Sequence, residues 1–420
     1  MDHKWLSRLA HARFQKRAFR FGSVEFGKLH PHIGTQINAD EKRALMIKTH
    51  FIGSLLIFAL AISSCSSANT QPSGVVTPTT PPDEYENFPT AIASNSVTIP
   101  VTWSALNLTG RLVHALGAVD SANNYIVQIR VLDLVTGHLA VVYTAPVNAS
   151  IYYISVSPDG RQVVMSYSPP SEENPEVVQG IYTLSLDGSE PPQLLFTPPT
   201  PQDQYTQAEW SPNGKYIYYT HVNHQIPNDP DRAYPLYEIF RRAYPGGEQE
   251  TVATAAHWPR LSSDSTRLAY VSLDPLSGEH KLMTADADGS NAQQVVLSGL
   301  YIPEDIDAPI FSPDGQSILF SGSVPGESYQ PNWFEKLVGI QVAKANGEPS
   351  DWWSVPVGGG EITQLTNIRH TGLYGSIAPD NTRMASSSRD NIFVMNFDGS
   401  ELTVLIPELR GFTGTLSWIP

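Results

Sequence analysis

The sequence predicts an all-β fold, a six-bladed β-propeller, from three observations: a recurring four-residue turn, six Gly-containing hairpins between those turns, and chain ends that complete one another's repeat. The turn reads Ser157-Pro158-Asp159-Gly160, Ser211-Pro212-Asn213-Gly214, Ser262-Ser263-Asp264-Ser265, Ser312-Pro313-Asp314-Gly315 and Ala378-Pro379-Asp380-Asn381, at spacings of 54, 51, 50 and 66 residues. A near-constant period of this length marks a repeat architecture. Pro presets φ, Asp or Asn binds nearby backbone, and Gly or Asn accepts positive φ, so the four residues turn the chain between two strands. The strands before the turns read YYISV, TQAEW, HWPRL, DAPIF and LYGSI, and those after them RQVVMSY, KYIYYTH, TRLAYVS, QSILFSG and TRMASSS.

The hairpins are IRVLDLVTGHLAVVY, IYTLSLDGSEPPQLLF, LYEIFRRAYPGGEQETV, LMTADADGSNAQQVVL, WWSVPVGGGEITQL and IFVMNFDGSELTVLI. Alternating strands around a Gly-containing turn are a hairpin signal. Two hairpins per repeat make a four-stranded sheet, and six such sheets arranged radially make a propeller. Six hairpins stand against five turns, and the ends resolve the mismatch. Thr415-Leu416-Ser417-Trp418-Ile419-Pro420 matches a strand before a turn, with Trp418 in the column of Trp210 and Phe311. Arg111 to Leu116 matches a strand after one. The C-terminal strand should therefore complete the first blade and remove both sheet edges.

Ser-Pro-Asp-Gly, an apolar strand and then a hairpin of the form apolar-x-apolar-x-x-x-Asp-Gly-Ser/Gly resemble the propeller repeats of TolB-like proteins over residues 99–420. The resemblance implies a six-bladed propeller outside the cytoplasm, commonly a docking surface for another protein. The chain departs from TolB in having a spacer where TolB has a separate N-terminal domain.

The N-terminal region reads as an address. From Met46 the chain runs MIKTHFIGSLLIFALAISSCSS, with Lys48, an apolar run from Phe51 to Ile62 and small residues up to Cys65. That run is short for a bilayer span and suits a signal-peptide core. Ile62-Ser63-Ser64-Cys65 resembles the lipobox of bacterial lipoproteins, in which cleavage leaves the cysteine as a lipid-modified N-terminus. Residues 46–64 are thus expected to be the signal peptide and Cys65 the lipidation site. Residues 1–45, Arg-rich and without apolar periodicity, read as an upstream extension, with synthesis expected from Met46. Residues 65–98 are rich in Pro, Thr and Ser and read as a flexible linker ahead of the propeller at 99–420.

Composition narrows the partners. Residues 65–420 carry 16 Lys/Arg against 37 Asp/Glu, and a surface so acidic repels phosphate backbones, which argues against nucleic acid. The single cysteine excludes a disulfide framework and any multi-cysteine metal site. No G-x-S-x-G, G-x-G-x-x-G or Walker loop occurs, and Gly358-Gly359-Gly360 is a hairpin turn. His221 and His224 with Asp229 and Asp231 match no known ligand spacing and read as polar residues of an exposed loop. No metal or other cofactor is therefore expected.

Aligned on the turns, Tyr152, Thr206, His257, Asp307 and Leu373, with Tyr374 beside the last, fall at the start of successive inner strands and so at one mouth of the channel. His257 and Asp307 lie in neighbouring blades, where a histidine near a carboxylate can titrate around neutrality. Glu209 and Arg260 form a second adjacent pair, expected to be an ion pair. The widest repeat carries residues 324–351, in which Trp333, Phe334, Leu337 and Val338 fall on one face of a short helix, either against its own blade or as a hydrophobic contact for a partner. The expected function is a lipid-anchored, monomeric and non-catalytic module that binds a protein or glycan of the envelope. The alternative is a propeller lyase or hydrolase acting at the channel mouth through the His257 and Asp307 neighbourhood. A third reading, a structural element of a secretion or wall-assembly complex, differs from the first in its partner.

Overall fold

The computed structural model describes residues 96–119, 124–170, 179–223, 235–323, 349–388, 391–407 and 413–420. The expectations for Cys65, the signal and the residues before it, for His224, Asp229 and Asp231, and for Trp333, Phe334, Leu337 and Val338 fall outside these residues.

Among the described residues the chain is a six-bladed propeller of antiparallel sheets, five with four strands and the first with five. Its one helical element is a 3₁₀ turn at Ser104–Leu106. The second blade shows the pattern: Ser150–Val156 innermost, then Gln162–Ser168, Gly180–Ser185 and Gln193–Phe196 at the rim. The third to sixth blades start from Asp203–Trp210, Ala256–Leu261, Ile306–Phe311 and Tyr374–Ile377. The first blade is closed as the sequence predicts. Its innermost strand is Thr413–Ile419, which pairs antiparallel with Arg111–Val119 in a register that sets Leu112 opposite Trp418 and Arg111 opposite Ile419. Ser96–Thr98, within the stretch read as linker, adds an outermost fifth strand along His138–Ala140.

The turns work as their composition requires. Ser157 Oγ donates to Asp159 Oδ1 at 2.6 Å, and the same bond recurs from Ser262 to Asp264 and from Ser312 to Asp314. The serine oxygen also accepts the N–H five residues on, at 2.9–3.0 Å in all four serine turns. Gly160, Gly214 and Gly315 hold φ between 65° and 71°, the left-handed conformation that glycine adopts without a Cβ clash. Where Ala378 replaces the serine both hydroxyl bonds are lost.

There is no single core. Buried apolar side chains form six clusters, one between each pair of adjacent blades: Val113, Ile129, Ile154 and Met165 between the first and second, for example, and Ile310, Leu319, Trp352 and Met384 between the fifth and sixth. The closing interface between the sixth and first blades is the broadest in kind, because Ile99, Trp103 and Leu108 from ahead of the first blade join Leu112, Leu132, Ile392 and Val394. Trp103 anchors this segment by donating its indole N–H to the Leu134 carbonyl at 2.8 Å.

The innermost strands leave one edge unpaired toward the channel, and side chains of neighbouring blades occupy it. Trp210 N–H donates to Ser155 Oγ, Trp258 N–H to Gln207 Oε1, Val156 N–H to Ser417 Oγ and Trp418 N–H to Ser376 Oγ, all at 2.8–3.1 Å. Thr415 Oγ1 both accepts from Ile154 N–H and donates to its carbonyl. These bonds satisfy buried backbone groups and tie together the inner strands of the sixth and first, first and second, second and third, and third and fourth blades.

Candidate functional site

Every inner strand in the second to fifth blades bulges near its start. The pairing registers shift between Ile151 and Ile154, between Thr206 and Glu209, between His257 and Arg260, and between Asp307 and Ile310. A bulge inserts one residue and re-aims the side chains that follow. Its consequence here is that in the second to fifth blades the channel side goes to the residue one after the expected one, Tyr153, Gln207, Trp258 and Ala308, while the sixth blade, whose register does not shift, places the expected Tyr374 against Tyr153 and Trp258, and the closing strand supplies Thr415. Gln207, Trp258 and Ala308 hold φ of 53°, 58° and 47°, a conformation costly for residues with a Cβ that persists only where the surrounding structure over-determines it.

Three of these side chains fill the channel. Tyr153 meets Trp258 edge-on at 5.3 Å and Tyr374 at 6.1 Å, and Trp258 lies 5.2 Å from Tyr374. Tyr153 also hydrogen-bonds to Tyr374 and Gln207, and burial pushes its phenol up to about 12. The cavity at this level, bounded by Tyr153, Gln207, Trp258, Ala308 and Thr415, has a volume of about 10 Å³, the room of a single water. Just below, Arg260 Nη1 donates to Glu209 Oε1 at 2.9 Å, so the expected ion pair is present, and Arg260 Nη2 reaches the Gly375 carbonyl. Burial raises the Glu209 carboxyl, opposed by the Arg260 charge.

The expected residues occupy different places. Tyr152 is 42% exposed at the mouth, and the bulge gives the channel side to Tyr153. Thr206 is half-buried, while the wall position next to it is taken by Gln207, which accepts from Thr220 Oγ1. His257 and Asp307 are not brought together as a pair. Asp307 Oδ1 instead accepts from Trp258 Nε1 at 2.7 Å. His257 is buried between Tyr237, 5.2 Å away, and His280, 5.7 Å away, with Nε2 unpartnered. Desolvation, then the His280 charge, lower His257 to about 3, so it stays neutral at physiological pH. Asp307 is half-buried, and desolvation raises it to about 7, with Asp305 adding in the same direction and Trp258 opposing. Its charge also raises Tyr153, Tyr237 and Tyr374. His221 is held between Asp203 at 3.5 Å and Glu238 at 3.3 Å, inside the third blade rather than on an exposed loop.

No family model matches the chain, and no curated protein matches it in sequence. Among solved structures, TolB from Acinetobacter baumannii superposes with a TM-score of 0.51 at 14% identity, over 74% of this chain and 67% of that one. A putative TolB from Agrobacterium tumefaciens follows at 0.47 and 16%, over 74% and 100%. An oligogalacturonate lyase from Vibrio parahaemolyticus gives 0.41 and 11%, over 71% and 87%. The chain has the TolB-like six-bladed propeller fold.

The TolB-like propeller accounts for six blades, the closing strand and the turn motif. It leaves the channel residues to this chain's own sequence. Tyr153, Trp258 and Tyr374 share one offset, four residues before the turn, so an aromatic column was present in the alignment. Tyr237 and His280 come from third strands, which no alignment on the inner-strand turns brings to the mouth. Among the described residues no three acid, imidazole or thiol side chains converge as a metal site, and no helix is long and apolar enough to cross a membrane.

Proposed function

We propose that this TolB-like propeller is a non-catalytic binding module that presents its channel mouth to a protein of the cell envelope. The observation that carries the reading is the aromatic cluster: the rings of Tyr153, Trp258 and Tyr374 lie 5.2–6.1 Å apart, and the cavity that Tyr153 and Trp258 help to bound has room for about one water, so this level offers a packed aromatic surface rather than a roomy active-site cavity. Half-buried Tyr237, Trp258 and Asp307 with exposed Tyr152 supply the mixed aromatic and polar surface typical of recognition sites. In this reading the protein is a monomer, exported by the signal at 46–64, acylated at Cys65 and held off the membrane by the linker up to 98.

The test is site-specific photo-crosslinking in native cells from position 152, at the mouth, and from position 194, on the rim of the second blade. A discrete adduct from 152 with none from 194 is the expected result. Adducts from 194 alone, or metal-dependent release of unsaturated uronides by the purified protein, would overturn the reading. Metabolic labelling with palmitate, lost in Cys65→Ala, checks the anchor.

A further inference from the structure

Asp307 differs from the other acidic side chains withdrawn from solvent. Glu209 is paired with Arg260 at 2.9 Å, and Asp203 and Glu238 share His221. Buried Asp351 has no cationic partner among the described residues but accepts from Thr366 Oγ1, Gln364 Nε2 and the N–H groups of Ile368 and Arg369. Asp307 has one hydrogen bond, from the Trp258 indole, and no cationic partner among the described residues. The guanidinium that lines the same channel, that of Arg260, is engaged by Glu209 and the Gly375 carbonyl. An ionised carboxylate held this way is under-solvated and lacks compensation.

The surroundings specify what would compensate it. Trp258 donates to Asp307, Tyr153 packs edge-on against Trp258 at 5.3 Å, and Tyr237 lies 5.2 Å from His257, whose ring is 6.5 Å from that of Trp258; Tyr153, Tyr237 and Trp258 are all half-buried. Aromatic faces attract cations, most strongly where water is excluded. A divalent metal is a poor match, because it takes six or more oxygen ligands, and the described residues bring no cluster of three suitable groups together. An ammonium is compact and strongly hydrated, whereas a guanidinium is planar, weakly hydrated, stacks on aromatic rings and still donates to a carboxylate. The cavity that Tyr153 and Trp258 help to bound has room for about one water, so a visiting group as small as a side-chain tip matches it better than a larger ligand. Charge complementarity favours the same occupant, since residues 65–420 carry 37 acidic against 16 basic side chains.

We infer that the channel mouth receives one arginine side chain of the partner protein, its guanidinium on the Asp307 carboxylate and flanked by Tyr153, Tyr237 and Trp258. The inference rests on the binding-module reading and adds the chemistry of the anchor. The test titrates the full chain with acetyl-Gly-Arg-Gly-amide and with the citrulline peptide, which keeps the shape and hydrogen-bonding amide but lacks the charge, by ligand-observed NMR. The arginine peptide should bind at least tenfold more tightly than the citrulline peptide. Asp307→Asn, which keeps an acceptor for Trp258, should remove that tenfold difference, and Asp305→Asn, at a more exposed carboxylate two residues away, should leave it intact. Equal binding of the two peptides, binding of neither, retention of the preference in Asp307→Asn, or its loss in Asp305→Asn overturns the inference. If the position-152 adduct persists unchanged in Asp307→Asn, the module reading stands while the arginine anchor falls. If no adduct forms at 152 in the parent, the module reading itself falls.

Discussion

Two histidines with the same depressed pKa occupy the closing seam and the channel mouth, and their surroundings differ. His114, in the second strand of the first blade, is fully buried with both ring nitrogens unpartnered, and Arg130 beside it donates twice to Gln128. Desolvation and then the Arg130 charge lower His114 to about 3, and desolvation brings Arg130 down to about 10. His257 reaches the same value at the edge of a mouth lined by Tyr237, Trp258 and Asp307. A polar group walled in on every side belongs to the interior and costs stability. A polar group that borders an open depression can meet a ligand. The seam thus holds its uncompensated polarity among fully buried groups, whereas at the mouth the buried His257 lies beside the half-buried Tyr237 and Trp258.

The comparison breaks first at the seam. Deleting Thr413–Pro420 removes the inner strand of the first blade, the Thr415 and Ser417 bonds to the second blade and the Trp418 contacts with Thr109 and Ser376. Loss of the cooperative thermal transition is expected by calorimetry. A truncated chain that melts like the parent would refute closure by this strand.

His114→Leu should stabilise the protein, and more so in acid. The folded pKa of about 3 lies below the unfolded 6.5, so stability is fully present above pH 6.5 and is lost as pH falls toward 3. Removing the group should add about 1 kcal/mol at pH 8 and about 3 kcal/mol at pH 5. A gain independent of pH in denaturant titrations would contradict this.

Asp307→Asn carries the opposite sign. Its folded pKa of about 7 lies above the unfolded value, so stability is present below about pH 4 and is lost as pH rises through 7. The variant should gain about 2 kcal/mol over the parent at pH 8, after allowance for water at the mouth, and nothing at pH 4. Equal stabilities at both pH values would mean that the carboxylate is already compensated. The smallest effect is expected at a turn: Ser262→Ala removes the hydroxyl bonds to Asp264 and Arg267 and should cost about 1 kcal/mol, the condition Ala378 already represents in the sixth blade.

Much of this fold was legible because its turns are chemical as well as periodic. Ser157, Asp159 and Gly160 each do a separate task, so the motif survives divergence and marks every blade but the first, where the C-terminal strand stands in. The Glu209 and Arg260 pair was legible too, since both lie after the bulge and keep their register. Tyr152 was misplaced because a bulge changes which side chain faces the channel without changing the spacing of the turns. The partner of Asp307 was hidden for a related reason, as it is the indole of Trp258, one position along from the expected His257. Tyr237 and His280 could not be found from the inner-strand columns at all, because the blades bring third strands to the mouth only in three dimensions.

The added strand Ser96–Thr98 lies outermost in the first blade, against His138–Ala140. The described chain therefore enters the wheel at its circumference, on a strand that no other blade has. By pairing with His138–Ala140 it covers the rim edge of the first blade over that stretch, so the blade joined by the last strand on its inner side is also shielded on its outer side against edge-to-edge pairing with another chain.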